Sequence, residues 1–327
     1  MRKPGDNTFF QPLSGMDVPR FAAPATFMRL PYLTPDHARI GEVEIGLVGI
    51  PWDGGTTNRA GARHGPRQMR DLSSMIRRMH PVTRMVPFDH ANVADLGDVS
   101  VNPAGLEDTL GRVEAFYRRL DELGIVPLTA GGDHLTTLPV LRGIARKRPV
   151  GSIHFDSHTD LNDSYFNGCR YTHGTPFRRA IEEGLIDPRR MVQIGMRGTM
   201  YDGEDYDYAE SVGARLITIE ELRERGIPSV MAEARAIVGA DPVYVTFDID
   251  FIDPAYAPGT GTPEIGGPTT FEAQSCVRAL AGLDVIGADV VEVSPPFDPS
   301  GNTAFVGVSI MFELLCVMAR ALEQRDD

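Results

Sequence analysis

The chain has 327 residues, 42% hydrophobic and 24% charged, and its 34 glycines and 25 prolines are scattered rather than gathered in tracts, which excludes a fibrous or disordered protein. A formal net charge of −13 argues against nucleic-acid binding, because such surfaces are basic on at least one face. The three cysteines, Cys169, Cys276 and Cys316, form no CxxC pair. They fit a reduced, cytoplasmic setting, with Cys276 and Cys316 inside apolar helical patterns. No stretch is expected to reach the length of a membrane span, and the N-terminus lacks the apolar core of a signal peptide.

Residues 1–42 are proline-rich without sustained periodicity and read as an arm over the domain or a neighbouring subunit. From residue 43 to 327 the pattern is regular and shows no linker or internal repeat, so a single catalytic domain is expected. Eight short apolar runs predict strands at 44–50, 92–99, 124–130, 151–156, 191–196, 215–219, 242–248 and 285–293. Between them lie segments such as 106–124, 175–184, 229–239 and 270–282, whose apolar residues recur three and four apart and predict helices. The alternation implies an α/β fold with a mostly parallel sheet covered on both faces, in which ligands bind beyond the carboxyl ends of the strands.

Three runs end in ionisable residues. The third leads into Gly131-Gly132-Asp133-His134, the fourth into His154-Phe155-Asp156-Ser157-His158-Thr159-Asp160, and the seventh into Asp248-Ile249-Asp250. Side chains alternate along an extended segment, so Asp156, His158 and Asp160 can share a face, as can Asp248 and Asp250. Any one of these motifs alone is as easily a turn or a helix cap. Together they bring four carboxylates to one crevice, where mutual repulsion calls for cations. Two divalent ions would balance Asp156, Asp160, Asp248 and Asp250, with His134 and His158 completing an oxygen and nitrogen set. Such a set suits Mn(II), with Ni(II), Co(II) or Zn(II) as alternatives. His154 reads as a buried strand residue, and His37, His64, His80 and His90 as structural. The run Gly259–Gly267 lacks the lysine of a phosphate-binding loop, which removes a nucleotide reading.

These motifs resemble the ureohydrolase family of arginases, agmatinases and guanidino-acid hydrolases. Further likeness lies in Gly49-Ile50-Pro51, Asn58–Pro66, Ala257–Glu264 and Asp289–Pro295. The resemblance implies an arginase-like three-layer α/β/α sandwich with an eight-stranded sheet. It implies one metal held by His134, Asp156, Asp160 and Asp248 and another by Asp156, His158, Asp248 and Asp250, the reaction being hydrolysis of a guanidino compound to urea and an amine. Asp160 would orient the attacking hydroxide, His173 would shuttle a proton as a group titrating near neutrality, and Glu292 would pair with the guanidinium. Asn162 and Arg170, in the loop after the second motif, could hold a substrate carboxylate.

The likeness points to bacterial guanidinobutyrases and guanidinopropionases. Agmatine, an alkylated guanidine or a biguanide are alternatives, because Ser157, Phe251 and Phe305 depart from the usual pattern. It also implies a homo-oligomer, trimer or hexamer, or a hetero-oligomer with a paralogue. Two other classes compete: a non-catalytic subunit that only keeps the fold, and a hydrolase acting through one zinc.

Overall fold

The computed structural model describes residues 8–326 and contains all eight expected strands: Ile45–Gly49 (β1), Val93–Asp98 (β2), Val126–Ala130 (β3), Val150–Phe155 (β4), Ile186–Met196 (β5), Arg215–Thr218 (β6), Val243–Asp248 (β7) and Val285–Val291 (β8). They form one sheet in the order β2-β1-β3-β8-β7-β4-β5-β6, and every neighbouring pair is parallel. Helices cover both faces, giving the three-layer arrangement. Every residue of β1, β3, β4 and β7 is buried, which is why these strands read as continuous apolar runs rather than alternating ones.

The helices follow their local signals. Leu106–Leu123 carries Glu107 and Asp108 in its first turn and buries Leu110, Val113, Tyr117 and Leu120 on one face. It stops where Gly124 turns left-handed at φ 73°. The segment expected over 270–282 begins with a reciprocal Thr269 and Glu272 capping box and is helical only to Arg278, after which the chain turns.

One core joins Phe155, Phe247 and Phe251 to Met311 and Leu315, and the other joins Val113, Tyr117, Leu138, Phe177 and Tyr244. Each fully buried side chain of this size contributes about 1.5–3 kcal/mol of transfer free energy.

The expectation that no segment reaches span length needs correcting. Helix Asn302–Asp326 has 25 residues, and its most apolar window reaches a mean hydropathy of 1.9. That window is 72% buried against the rest of the protein, so its apolar character serves the core. A helix apolar on nearly all sides is what such burial requires.

The described part of the arm lies against the domain. Phe10, Phe27 and Leu33 are fully buried. Asp95 in β2 accepts the Phe27 N–H at 2.8 Å while holding Arg70 at 2.8 Å, and Ser73 Oγ accepts the Met28 N–H at 2.7 Å. Residues 1–7 lie outside the described residues.

Strand order positions the site. The chain runs from β3 to β4 across a gap that β8 and β7 later fill, so four strands far apart in sequence become consecutive neighbours, β3-β8-β7-β4. Their carboxyl ends carry His134, Glu292, Asp248 with Asp250, and Asp156 to Asp160 respectively. Such a reversal of strand order opens a crevice at the carboxyl edge of the sheet.

Candidate metal centre

β4 ends at Phe155, and the chain bends immediately after Asp156. The expected extended run from Asp156 to Asp160 is therefore a bent loop, and Asp160 sits in the left-handed region at φ 52°. The groups still converge, but through the loop's shape rather than strand alternation. Asp248 closes β7, and Asp250 lies in the tight turn Ile249–Phe251, its N–H donated to Asp248 Oδ1 at 2.8 Å.

His134 Nδ1 is at the centre of one cluster. It lies 2.9 Å from Asp160 Oδ2, 3.1 Å from Asp156 Oδ2 and 3.3 Å from Asp248 Oδ2, yet forms no well-directed hydrogen bond. Its other nitrogen is engaged on the far side. The Asp289 carboxylate can only accept, so Thr246 Oγ1 donates to it at 2.6 Å and must accept from His134 Nε2–H at 2.8 Å. Nδ1 is thereby left facing three carboxylates, an arrangement suited to a proton in the metal-free protein and to a cation in its place.

His158 centres a second cluster, with Nδ1 at 3.1 Å from Asp250 Oδ2 and 3.5 Å from Asp156 Oδ1. The ligand atoms of Asp156, His158 and Asp250 lie within 4.8 Å of one another, as do those of His134, His154, Asp156 and Asp160. All six expected ligands are brought together, with Asp156 common to both clusters.

Charge in this space is unbalanced. Burial and the neighbouring Asp250 and Asp156 push the Asp248 carboxyl well above the usual range, and burial with Asp156 raises Asp250. Burial opposes charge on Asp156 too, but His154, His134 and His158 outweigh it and hold that carboxyl well below the usual range. Burial likewise opposes charge on His134, but its carboxylate partners push it well upward. Donors and charges both fit divalent cations, which would replace those protons.

His154 needs correcting. It is buried as expected, but its Nε2 lies 2.6 Å from Asp156 Oδ2, so it belongs to the site. Alternation along β4 was the available signal, since residues 154 and 156 share a face. Asp133, Gln193, Thr246 and Asp289 had no such signal; strand pairing and burial bring them in.

His173 and Glu292 form the third part. His173 Nδ1 is 2.9 Å from Glu292 Oε1, and its Nε2 is 2.8 Å from Thr57 Oγ1. Glu292 sits at φ 62°, and backbone strain of this kind collects at functional positions. Burial opposes charge on His173, but Glu292 outweighs it and raises the imidazole to about 9. Against the expectation of titration near neutrality, the Glu292 contact favours the protonated ring in the metal-free protein. Asp133, buried beneath, accepts the Gly55 N–H at 2.6 Å, and Gly55 O accepts the His173 N–H at 2.9 Å.

These groups open to a cavity of about 510 Å³ lined by His158, Asp160, His173 and Asp248, and also by Arg59, Asn162 and Tyr165. Asn162 donates to Tyr165 Oη at 3.1 Å. Arg170 does not join it. Its guanidinium is exposed and pairs with Glu182 at 2.7 Å, outside the cavity wall. Ser157 Oγ donates to Asp250 Oδ1 at 2.7 Å, Phe251 is wholly buried, and Phe305 is exposed.

The model of the arginase family matches residues 43–317. This chain belongs to the arginase family. It is 58% identical over 311 residues to the guanidinopropionase of Pseudomonas aeruginosa, covering 95% of this chain and 96% of that one. The guanidinobutyrase of the same organism is 48% identical over 314 residues, covering 96% and 98%. Among solved structures, the proclavaminate amidinohydrolase of Streptomyces clavuligerus superposes with a TM-score of 0.88 at 39% identity, covering 93% of this chain and 99% of that one. The family's fold and the His and Asp clusters described above therefore occur in the same chain.

Proposed function

We propose that the protein hydrolyses a guanidino acid, 3-guanidinopropionate or 4-guanidinobutyrate, to urea and an amino acid at a centre of two divalent ions, Mn(II) in preference to Ni(II) or Co(II). The observation that carries this reading is the orphaned His134 Nδ1 among three carboxylates, set beside the Glu292 and His173 pair. His134, Asp156, Asp160 and Asp248 would hold one ion, and Asp156, His158, Asp248 and Asp250 the other. Bound there, the ions would supply Lewis-acid charge and a nucleophile from water at neutral pH.

The chain's own residues do the rest. Glu292 accepts from the planar guanidinium, whose fork of N–H donors matches a carboxylate. Asp160, beside His134 and lining the cavity, orients the attacking oxygen. His173, protonated through its contact with Glu292, gives its proton to the leaving amine. Arg59 lines the same cavity, its guanidinium 3.8 Å above the Phe297 ring. The other cavity arginine, Arg197, is spent on the carbonyls of Asp250, Phe251 and Glu264. Arg59 is thus the cavity arginine left for a tail carboxylate, and Asn162 lines the same cavity.

A second reading, a cationic tail as in agmatine, is favoured by Asp202, Asp205 and Glu264, which also line the cavity. A urea-release screen with both guanidino acids, agmatine, arginine, guanidine and a biguanide, run with each metal in turn, separates the two. Preference for agmatine would overturn the guanidino-acid reading. Failure to bind two ions per chain after reconstitution would favour a non-catalytic subunit. The resemblance also implies a homo-oligomer, which light scattering tests, and the cysteine usage suggests a cytoplasmic setting.

A further inference from the structure

Gln193 lies in β5, paired in register with His154 of β4, so the two side chains share a face of the sheet. Neither has any exposed surface. The Gln193 amide nitrogen lies 2.5 Å from the carbonyl oxygen of Thr159 and 2.6 Å from His154 Nδ1. A carbonyl only accepts, so the group facing Thr159 must be the NH₂, and its second hydrogen meets His154 Nδ1. That nitrogen therefore accepts. The ring hydrogen must sit on Nε2, which donates to Asp156 Oδ2 at 2.6 Å. Both nitrogens of His154 are thus engaged, which removes it as a ligand in its own right. The carbonyl that Gln193 holds belongs to the residue between His158 and Asp160, so one amide restrains both the loop and the imidazole.

We propose that Gln193 is a positioning residue for the metal centre: its amide fixes His154 in the Nε2–H tautomer, and His154 in turn holds Asp156 with one oxygen toward His134 and the other toward His158. This rests on the two-ion reading above. Asp156 is the member common to both clusters, with Oδ2 at 3.1 Å from His134 Nδ1 and Oδ1 at 3.5 Å from His158 Nδ1. A carboxylate shared by two sites must be aimed at both, and the hydrogen bond from behind supplies that aim. Packing alone would be served as well by methionine, which has the length of glutamine and no donor.

The test uses the full chain with ¹⁵N-labelled histidine. In the metal-free wild type, the His154 ring should carry its hydrogen on Nε2. Gln193→Glu places an acceptor against Nδ1, should draw the hydrogen there, and should weaken Mn(II) binding roughly 10- to 100-fold. Gln193→Met, which neither donates nor reverses the tautomer, should fall between the two. A hydrogen on Nδ1 in the wild type overturns the proposal, and so does wild-type Mn(II) affinity in a folded Gln193→Glu variant. Should that variant not fold, the wild-type tautomer and the Mn(II) affinity of Gln193→Met decide. If the wild type itself takes up fewer than two ions, the two-ion reading fails. The tautomer of the metal-free protein then still judges the relay.

Discussion

His173 Nδ1 and Glu292 Oε1 are 2.9 Å apart, and the same oxygen accepts the backbone N–H of His134 at 2.9 Å. One carboxylate thus ties the proton-bearing imidazole to the backbone of an expected metal ligand. Its raised imidazole, at about 9, has a definite sign. The folded state binds the proton more tightly than the unfolded chain, so the contact contributes its full stability below about pH 6.5 and loses it as pH rises through about 9. In the metal-free protein an NMR titration of His173 should show a midpoint well above an ordinary imidazole. Glu292→Gln should lower it by roughly one to three units. A midpoint at or below an ordinary imidazole in the wild type would contradict this.

Asp250 faces His158 Nδ1 through Oδ2 at 3.1 Å, and among the described residues Asp156, at 3.5 Å, is the other carboxylate against that nitrogen. Asp250→Ala should leave about one ion per chain and lower urea release by orders of magnitude. Metal analysis alongside the rate checks this, and near-normal activity with one ion would sink the two-ion mechanism.

Ser157 gives Asp250 Oδ1 two hydrogen bonds, N–H at 3.1 Å and Oγ–H at 2.7 Å, leaving Oδ2 toward His158. Ser157→Ala keeps the first and removes the second. Binding of the second ion should weaken about tenfold while the first is unchanged. Calorimetric titration with Mn(II) resolves the two steps; equal losses at both would show a general disturbance instead.

Arg170 and Asn162 were equivalent candidates in the sequence and are not so in space. Arg170 is exposed and paired with Glu182, a contact worth about 0–1 kcal/mol. Arg170→Ala should leave KM within about twofold of wild type, whereas Asn162→Ala should raise it by about tenfold, the loss of a hydrogen bond to a charged group. Steady-state kinetics on the preferred guanidino acid distinguish them, and a large KM change in Arg170→Ala would return that residue to the site.

By itself the sequence determined the strands, the class of fold and the six ligand-type residues. Those signals are local: a buried parallel strand is a short apolar run, and its carboxyl end shows as a change from apolar to ionisable residues. It misjudged His154, although 154 and 156 share a face, because a histidine amid apolar residues looks the same whether it packs or hydrogen-bonds. It also took 156–160 as extended, where the chain bends and Asp160 turns left-handed. Tertiary structure alone decided that β3, β8, β7 and β4 stand side by side, that Gln193 faces His154, and that Asp289 reaches His134 through Thr246. Pairing between distant strands is set by the packing of the whole sheet. Burial then makes the hydrogen bonds that do form in the site costly to lose, and neither effect is written in any short stretch of chain.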